Sequence, residues 1–486
     1  MNDAQGAAAQ QPSRHALHKF SSGGKMWFHI LRGRQGLAID NVILRLTGYS
    51  LMTWQFTTSA GVHGGPLAEF AIFGLFLLHG GRFVTGWLLR LVTARGRTAR
   101  KAWFAECLLA LFPALGATFI KVGQIMSTRP DLLPPHLIHA LSQLQDNVGP
   151  FPFVDVERTL LEDLGRPLGE VFLRFEPEPI ASASVAQVHR AALRDGRVVA
   201  VKVRRPDIEE LCAFDLSVMR LYARVLQLLP SLALLAPVES VEQFGRAIRM
   251  QLDFTVEAAN NRRFRKNFAA LPEILVPALE DALCTRRVLV MEFIEGVKIL
   301  DYAQVGADPR RIGELGFKIM LKMVFEDGFV HADLHPGNIF ITRDQRVALL
   351  DLGLVGELDD EHRGAFARYF AAWAQNDGRT MAEIMIRHSP GGRAPDPEGF
   401  TRAVEGFVSR YYGKRLGEVQ VAVVVFEMMQ ILRRYRVRMN ATFTMVNIAI
   451  AMTEGIGKQL DPSLDLMREA LPFFAGMSFS APPARG

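Results

Sequence analysis

The sequence predicts an α+β fold with two lobes, a small lobe rich in strands and a larger, mostly helical lobe, behind a helical extension. Three observations predict this fold. Strand signals occur at 172–206 and 286–296, helical patterns precede them at 67–144, and the chain from His362 onward has helical periodicity. We therefore predict four regions: a weakly ordered basic segment at 1–65, the helical extension at 66–150, the small lobe with a helical insertion at 151–296, and the helical large lobe at 297–486.

The net charge is unevenly distributed along the chain. The whole chain of 486 residues carries +6, yet residues 1–101 contain twelve Lys and Arg against three acids. The basic excess therefore belongs to the N-terminal fifth. Basic residues beside leucine-rich and aromatic runs favour contact with an anionic membrane surface, and we expect no nucleic acid partner. A solvated basic face is the alternative interpretation.

No segment of the sequence is predicted to span a membrane. The apolar run from Leu67 to His79 is too short to cross a bilayer and contains Glu69. It is expected to lie in the membrane interface or to pack as a buried helix. The three cysteines, Cys107, Cys212 and Cys284, fit no zinc or redox spacing, which is typical of a reducing cytosolic compartment.

The small lobe has recognisable local signals. An amphipathic helix follows the Gly149–Pro152 boundary and is closed by Gly165. The two strand patterns around Asp195–Gly196 predict a hairpin turned at that dipeptide. Helices are predicted next, over residues 208–229 and 238–268.

Lys202 is the first candidate site residue. It ends the tetrapeptide "VAVK" and is flanked by Val201 and Val203. Strand alternation turns Lys202 to one face and both valines to the other. A lysine that faces into the lobe needs an anion such as a nucleotide phosphate. The tetrapeptide alone equally fits an exposed edge-strand lysine, so its assignment depends on context.

A loop of small residues precedes Lys202, at the place where protein kinases carry a glycine-rich phosphate loop. Alanine permits close approach of a phosphate but lacks the φ freedom of glycine, so this loop should hold phosphates in a more restricted way. We assign it to nucleotide binding through Ala181, Ser182, Ala183, Ser184 and Val185.

Two further segments supply partners for a nucleotide site. Asp253 and Glu257 are four residues apart, which places both on one face of the predicted helix, where a carboxylate could orient Lys202. "VLVMEFIEG" resembles a kinase hinge, in which backbone groups of Glu292 and Ile294 would bind adenine beside Met291. An ordinary buried strand is the alternative for this second segment.

The stretch "FVHADLHPGNIFI" places polar side chains between two short strands, with Pro336–Gly337 as a turn signal. His331 and His335 could be metal ligands on one helical face, but the proline and glycine make a continuing helix unfavourable. In the other interpretation the loop handles a nucleotide. Asp333 and Asn338 then have the spacing of a kinase catalytic loop.

Asp351 follows a strand in "LLDLGLVG", where kinases carry their main magnesium ligand. We therefore predict ATP and Mg²⁺ as ligands, with Asp333, Lys202 and Glu257 as catalytic residues and with Asn338 and Asp351 on the metal. The elements occur in the chain order of a kinase, which predicts a protein-kinase-like two-lobed fold.

The combined motifs resemble the UbiB/AarF family of atypical kinase-like ATPases. The decisive stretch is "FIKVGQIMSTRPDLLP", in which Lys121, Gly123 and Gln124 match the Lys-x-Gly-Gln signature of that family. The alanine-rich loop, "HADLHPGN" and "AMTEGIGKQLDP" agree with it. The resemblance extends from about Leu108 to Pro462.

The resemblance implies ATP hydrolysis in support of ubiquinone or other isoprenoid-quinone biosynthesis. It also implies a bacterial, cytoplasmic protein that is bound peripherally to the inner face of the cell membrane. Its ligand would be a quinone precursor or another lipid. Quinone-biosynthesis enzymes and a second copy of the chain are further candidate partners. The family's signature lysine meets a Glu-x-Asp pair, which reads Gln251-Leu252-Asp253 here, so a weaker hold on Lys121 is expected.

Three functions are open at this point. The first is the membrane-associated ATPase. The second is a phosphotransferase that acts on a small molecule or a protein, and the Lys121 signature argues against it. The third is a catalytically idle lipid-binding scaffold, which would have no need of Lys202, Asp333, Asn338 and Asp351 together.

Overall fold

The computed structural model describes the chain from the signature helix to the end of the helical lobe. The predicted basic segment, the apolar run at 67–79 and the C-terminal tail lie outside the described residues. Among the described helices, none is long and apolar enough to cross a bilayer. The described residues are 102, 104–106, 108–109, 112, 117–127, 135–141, 143–144, 149–228, 237–389, 392–412, 421–437 and 441–462.

The small lobe is an antiparallel sheet in the strand order β1-β3-β4-β6, with β2 paired to β3, covered by helix α3. Its core consists of valines from the strands and apolar residues of α3. The elements in chain order are α1 (Ala117–Ser127), α2 (Pro135–Leu141), α3 (Phe153–Leu164), α4 (Leu168–Val171), β1 (Phe172–Phe175), β2 (Ala181–Ser182), β3 (Ala186–Leu193), β4 (Val198–Arg204), α5 (Ile208–Gln227), α6 (Pro237–Leu252), α7 (Phe254–Asn267), β5 (Ile274–Leu275) and β6 (Val288–Glu292).

The large lobe combines two small sheets with a group of helices. One sheet has the order β5-β10-β9-β7, in which β5 pairs parallel to β10, and β8 pairs separately with β11. Its elements are β7 (Gly296–Lys298), α8 (Pro309–Leu321), β8 (Phe329–His331), β9 (Ile339–Thr342), β10 (Val347–Leu349), β11 (Val355–Glu357), α9 (Asp360–Ala374), α10 (Gly378–Arg387), α11 (Pro397–Tyr411), α12 (Val421–Arg434) and α13 (Ala441–Leu460).

Several local predictions are confirmed. Helix α3 ends at Gly165, which has φ +66° and donates its N–H to the Leu161 carbonyl at 2.9 Å. A left-handed residue at this position is how many helices end, because it returns an N–H to the last turn. The hairpin of β3 and β4 turns at Asp195–Gly196, and the glycine has φ +87°.

The predicted helix at 238–268 is wrong as a single element. It is two helices, α6 and α7, separated at Asp253. The Asp253 side chain accepts from the Thr255 N–H at 3.0 Å and so caps α7. An N-terminal cap has extended backbone and cannot lie within a helix, which accounts for the break.

Helix α7 belongs to both lobes. Its first residue, Phe254, packs under the small-lobe sheet, whereas Phe264 and the following Phe268 lie in the core of the large lobe. Strand β5, although it precedes β6 in the chain, pairs in the large-lobe sheet. The two cores therefore interlock through residues 254–275.

Helix α1 packs against α5 and α6, and a buried carboxyl lies at this contact. Asp215 on α5 is 5% exposed. Burial raises the pKa of its carboxyl from the ordinary 3.8 to about 6, against a smaller lowering by a hydrogen bond to Thr118. The folded state therefore holds this proton more tightly than the unfolded chain does. The stability contributed by the protonated carboxyl falls as pH rises from about 4 to about 6.

We expect Asp215→Asn to stabilise the protein at pH 8, where the wild type buries a charge, and to have little effect at pH 4. A shift of this size corresponds to about 3 kcal/mol at most, or a few degrees in Tm. Thermal unfolding at the two pH values measures the difference, with Glu210→Gln, at an exposed position of the same helix, as the control. An equal gain in Tm at both pH values would contradict the titration of Asp215.

Candidate active site

The centre of the site is a charged cluster between the two lobes. The Nζ atom of Lys202, on β4, donates to both oxygens of Glu257 on α7, at 2.9 and 2.8 Å, and to Asp351 Oδ1 at 3.2 Å. The neighbouring Val201 and Val203 point into the small-lobe core, as strand alternation predicted. One ammonium group therefore connects a helix of the interlocking segment to the loop after β10.

Burial and charge together set the ionisation of this cluster. Burial alone lowers the pKa of Lys202, but the carboxylates of Asp351 and Glu257 outweigh it, and the net pKa lies above the usual value. Asp351 keeps 49% of its side chain exposed. Its partial desolvation in the cleft acts to raise the pKa, and the charge of Lys202 followed by that of Lys121 more than reverses this, so its pKa is well below the usual range. The lysine is charged and Asp351 is ionised at neutral pH.

Glu257 has a different balance. Burial raises the pKa of its carboxyl more than Lys202 lowers it, and the nearby charge of Asp351 raises it further. Two carboxylates that share one lysine cannot both be fully compensated. Glu257, at 4% exposure, is the member of the pair that water reaches least.

The backbone at Asp351 is unusual. Asp351 has φ +50°, in the left-handed region that few residues other than glycine adopt. The chain then passes so near the carboxylates that a Cβ at Gly353 would lie 3.4 Å from Asp351 Oδ1 and 3.5 Å from Glu257 Oε2. Backbone strain at a charged residue in a cleft is typical of a functional position.

The loop between β8 and β9 brings the remaining candidates to the cleft. The Asn338 side chain donates its Nδ2 to the Asp333 carbonyl at 3.1 Å, which leaves its Oδ1 available as a ligand. Among the described residues, no hydrogen bond or ion pair involves the Asp333 carboxylate. This carboxylate is half-buried and chemically uncommitted, as a proton acceptor would need to be.

The two histidines of the loop hold the backbone. His331 is fully buried, and burial lowers the pKa of its imidazole below the usual value. Its Nδ1 accepts from the Asp333 N–H at 3.1 Å, so Nε2 carries the proton and faces the Leu350 carbonyl at 3.4 Å. His335 Nδ1 accepts from the Gly337 N–H at 3.0 Å. Neither contact supports the alternative of a histidine metal pair, and the described residues contain no group of three or more potential ligands from His, Cys, Asp and Glu.

The residues that fit a Mg²⁺ ion are Asp351 and Asn338. Asp351 Oδ1 contacts Lys202, which leaves Oδ2 without a partner among the described residues. A carboxylate and an amide oxygen are hard ligands that suit Mg²⁺, which keeps several waters and binds few protein groups. The donor set therefore fits a nucleotide-bound metal rather than an all-protein cage.

Asn260 fixes the loop that carries Asp351 to helix α7. Its Nδ2 donates to the Leu352 carbonyl at 2.8 Å, one turn beyond Glu257 on the same helix. The adjacent Asn261 donates to the Pro277 carbonyl at 3.1 Å, away from that loop. Sequence reasoning missed Asn260. The signal it offered was its position three residues after Glu257, on the same helical face.

We expect Asn260→Ala to weaken Mg-ATP binding by about tenfold, because loss of this bond frees the loop of Asp351. Asn261→Ala is the matched control, since it also removes one amide bond to a backbone carbonyl. It should lower Tm by a similar amount without changing nucleotide affinity. Calorimetric titration and thermal unfolding of both variants provide the comparison. If Asn260→Ala bound Mg-ATP as tightly as wild type does, Asn260 would act on stability alone.

The alanine-rich loop lies beside Lys202 as a tight turn. The Ala183 N–H donates to the Ala186 carbonyl at 2.8 Å, and Ser182 pairs with Gln187 through β2. Ser184 is fully buried, while Val185 packs with Ala186 and Phe254 behind the lysine. Ala181 is the exposed start of β2.

One backbone donor of the hinge segment is already engaged. Met291 packs against the cluster behind Lys202. The Glu292 N–H donates to the Ala278 carbonyl at 2.7 Å, so this donor is already engaged. The Glu292 carbonyl and the backbone of Ile294 stay candidates for adenine.

The signature residues lie on helix α1. Gly123 allows close packing, since a Cβ there would lie 2.3 Å from the Leu144 side chain and 2.5 Å from Phe112. The Gln124 amide donates to the Leu144 carbonyl at 3.3 Å. The Lys121 side chain is buried, and its charge acts on Asp351 and Glu257.

The expected contact of Lys121 with the Gln251–Asp253 pair is not present. The Asp253 carboxylate accepts from Thr255 and Arg286, while the Gln251 Oε1 atom is buried without a hydrogen-bond partner in the described structure. Asp253 also lies before α7 rather than on one helical face with Glu257. Among the described residues no hydrogen bond or ion pair involves Lys121, and its charge acts at longer range to lower the pKa of the Asp351 and Glu257 carboxyls.

Comparison with known proteins identifies the family. Residues 143–385 match the model of the ABC1 atypical kinase-like domain, and residues 404–465 match the model of the UbiB helical domain. The chain belongs to the ABC1/UbiB family of atypical kinase-like proteins. Membership confirms the predicted kinase-like fold and the resemblance inferred from the motifs.

Relatives within the UbiB family include proteins described as probable protein kinase UbiB. The protein from Marinobacter nauticus is 37% identical over 371 residues, which cover 74% of this chain and 67% of the relative. The protein from Pseudomonas paraeruginosa is 37% identical over 367 residues, or 74% and 69% of the two chains. A solved Rv3197–erythromycin complex from Mycobacterium tuberculosis is 25% identical, with a TM-score of 0.48, over 73% of this chain and 92% of that chain.

Proposed function

We propose that this UbiB-family protein binds Mg-ATP between its lobes and hydrolyses it in support of ubiquinone biosynthesis at a membrane surface. The observation that carries the proposal is the convergence of Lys202, Glu257 and Asp351, contributed by a strand, a helix and a loop distant in sequence. Kinase-like enzymes use this set to hold phosphates and metal. The uncommitted Asp333 carboxylate supplies the remaining group.

Each residue has a definite task in this proposal. Glu257 holds Lys202 with two hydrogen bonds, so the third N–H of the ammonium group, now on Asp351, can turn to a phosphate oxygen. Asp351 and Asn338 would hold Mg²⁺, which neutralises charge on the phosphates. Asp333 would accept the proton of the attacking water. Glu292 and Ile294 would bind adenine through their backbones.

Lys121 supports hydrolysis over protein phosphorylation. The buried lysine of the helical extension adds a second ammonium group to that of Lys202, and its charge acts on Asp351 and Glu257 from an element outside the two lobes. In this proposal the extension occupies part of the cleft, where a protein substrate would otherwise dock. The relatives are described as probable protein kinases, and phosphotransfer to a small molecule or a protein is the second candidate function.

The test measures ADP release by the purified protein with Mg-ATP. The ATP carries a label on its terminal phosphate. ATPase activity predicts ADP and free labelled phosphate in equal amounts, with no label transferred to an acceptor. A phosphotransferase would release ADP only with an acceptor present and would leave the label on it. A protein that bound no nucleotide would be the idle scaffold, and the proposal would fail.

Membrane association is the second part of the proposal. The basic excess at 1–101 supports it, since each Lys or Arg near an anionic surface contributes about 1 kcal/mol. Anionic vesicles should bind the protein and increase ADP release, and salt should weaken binding. Replacement of Arg95, Arg97, Arg100 and Lys101 by Gln in the full chain should reduce binding without changing nucleotide affinity. Unchanged binding would move the membrane contact elsewhere.

The ligand at that surface would be an isoprenoid quinone precursor or another lipid, and quinone-biosynthesis enzymes or a second copy of the chain are further candidate partners. These proposals follow from the family. Vesicles that contain a quinone precursor, compared with vesicles of the same charge that lack it, test the lipid. A change in ADP release with the precursor alone would support it.

A further inference from the structure

Arg205 directly follows β4, and its guanidinium group contacts the alanine-rich loop. The Nη2 atom donates to the Ala183 carbonyl at 3.1 Å and lies 3.5 Å from the Ser182 hydroxyl. The backbone N–H of Arg205 donates to the Val185 carbonyl at 2.8 Å. One residue therefore holds the loop through both its side chain and its main chain.

These bonds fix the direction of peptide groups in the loop. The N–H and C=O of a planar trans peptide point in opposite directions, and the described peptides include no cis bond. Fixing the carbonyls of Ala183 and Val185 thus also fixes the N–H directions of Ser184 and Ala186. A phosphate loop uses such N–H groups, so their direction matters more than the side chains.

The same guanidinium group contacts the chain that enters from the helical extension. Nη2 donates to the Gly149 carbonyl at 3.0 Å, and the guanidinium lies over the Phe151 ring, 5.1 Å from its centroid. Gln187 on β3 binds the same segment, since its Oε1 accepts from the Phe151 N–H at 3.1 Å. Arg205 therefore connects the end of the extension to the loop directly.

We propose that Arg205 is a positioning residue that orients the alanine-rich loop toward nucleotide phosphates and couples that loop to the helical extension. This inference rests on the proposed nucleotide site. A planar guanidinium reaches several carbonyls at fixed angles while stacking on a ring. A lysine would retain the charge but lose this geometry. The expected consequence is a site that selects for phosphates through loop orientation rather than through charge.

The experiment compares Arg205→Met and Arg205→Lys with Arg204→Met in the full chain. Arg204 is the matched control, because it donates to the Leu252 carbonyl at 2.8 Å and pairs with Glu209 at 3.1 Å, away from the loop. Calorimetric titration gives the affinities for Mg-ATP, Mg-ADP and adenosine. We expect both Arg205 variants to bind Mg-ATP and Mg-ADP about tenfold more weakly and adenosine within about twofold of wild type.

Amide hydrogen exchange provides a readout independent of activity. Exchange at residues 181–186 should accelerate in both Arg205 variants and stay unchanged in Arg204→Met. Arg205→Lys keeps the charge and tests the inference if Arg205→Met does not fold. If the Arg205 variants bound all three ligands as tightly as wild type does, the role of Arg205 would be overturned and the proposed function would stand. If they lost as much affinity for adenosine as for Mg-ATP, that role would also be overturned, because Arg205 would then be a general support of the lobe. A wild-type protein that binds no Mg-ATP would overturn the proposed function and this role with it.

Discussion

Asp351→Asn is expected to abolish Mg²⁺-dependent nucleotide binding while the protein stays folded. The carboxylate is ionised and in contact with Lys202, and it is the strongest candidate ligand for the metal. An amide has no charge and binds Mg²⁺ poorly, so affinity for Mg-ATP should fall on the order of 100-fold or more. Asparagine is chosen because it tolerates the left-handed conformation that Asp351 adopts with φ +50°.

The measurement is a titration with ATP in the presence and absence of Mg²⁺. Wild-type protein should show a large difference between the two conditions, and Asp351→Asn should show almost none. Asp344→Asn is the control, because Asp344 lies in the turn between β9 and β10 and pairs with Arg346. Unchanged Mg-ATP affinity in Asp351→Asn, with Tm near that of wild type, would remove Asp351 from the metal site.

The loop between β8 and β9 was predictable because its signals are local. The residues from Phe329 to Ile341 contain two apolar runs and a proline–glycine turn, and the structure has β8 and β9 at these runs. Lys202 was predictable for the same reason, since two adjacent valines determine its face. In each case the residues within a few positions decide the conformation.

Asp253 shows where local reasoning failed. A spacing of four residues from Glu257 fits one helical face, but it fits an N-terminal cap equally well. The choice depends on Arg286, which is remote in sequence and binds Asp253 at 3.2 Å. Strand β5 is a second example, since two residues have no measurable periodicity and pair with β10 across more than seventy positions of chain.

The position of Phe264 in the large-lobe core has a consequence for regulation. Helix α7 is held by Lys202 at one end and at the other by Phe264 and by Arg263, which pairs with Glu357 at 2.7 Å. A helix anchored in both lobes cannot turn away from the cleft without breaking two cores. The Lys202–Glu257 pair is therefore built into the fold rather than assembled by movement of this helix.

Lys202→Met is expected to destabilise the protein by about 3–5 kcal/mol at pH 8, because Glu257 is then buried without its partner. The pKa of Glu257 is already raised by burial, and loss of Lys202 removes the main opposing influence. The folded state then binds a proton more tightly than the unfolded chain. Stability of this variant should therefore fall as pH rises above about 4.5, through the raised pKa of Glu257.

The double variant Lys202→Met/Glu257→Leu separates stability from function. Removing both charges should restore much of the lost stability at pH 8, since an apolar pair of similar volume often replaces a buried ion pair without loss. Nucleotide binding should remain lost, because no ammonium group is left for the phosphates. Thermal unfolding at pH 5 and pH 8, with an ATP titration, distinguishes the two effects. If the double variant bound Mg-ATP as tightly as wild type, the pair would be a structural ion pair and the phosphate site would lie elsewhere in the cleft.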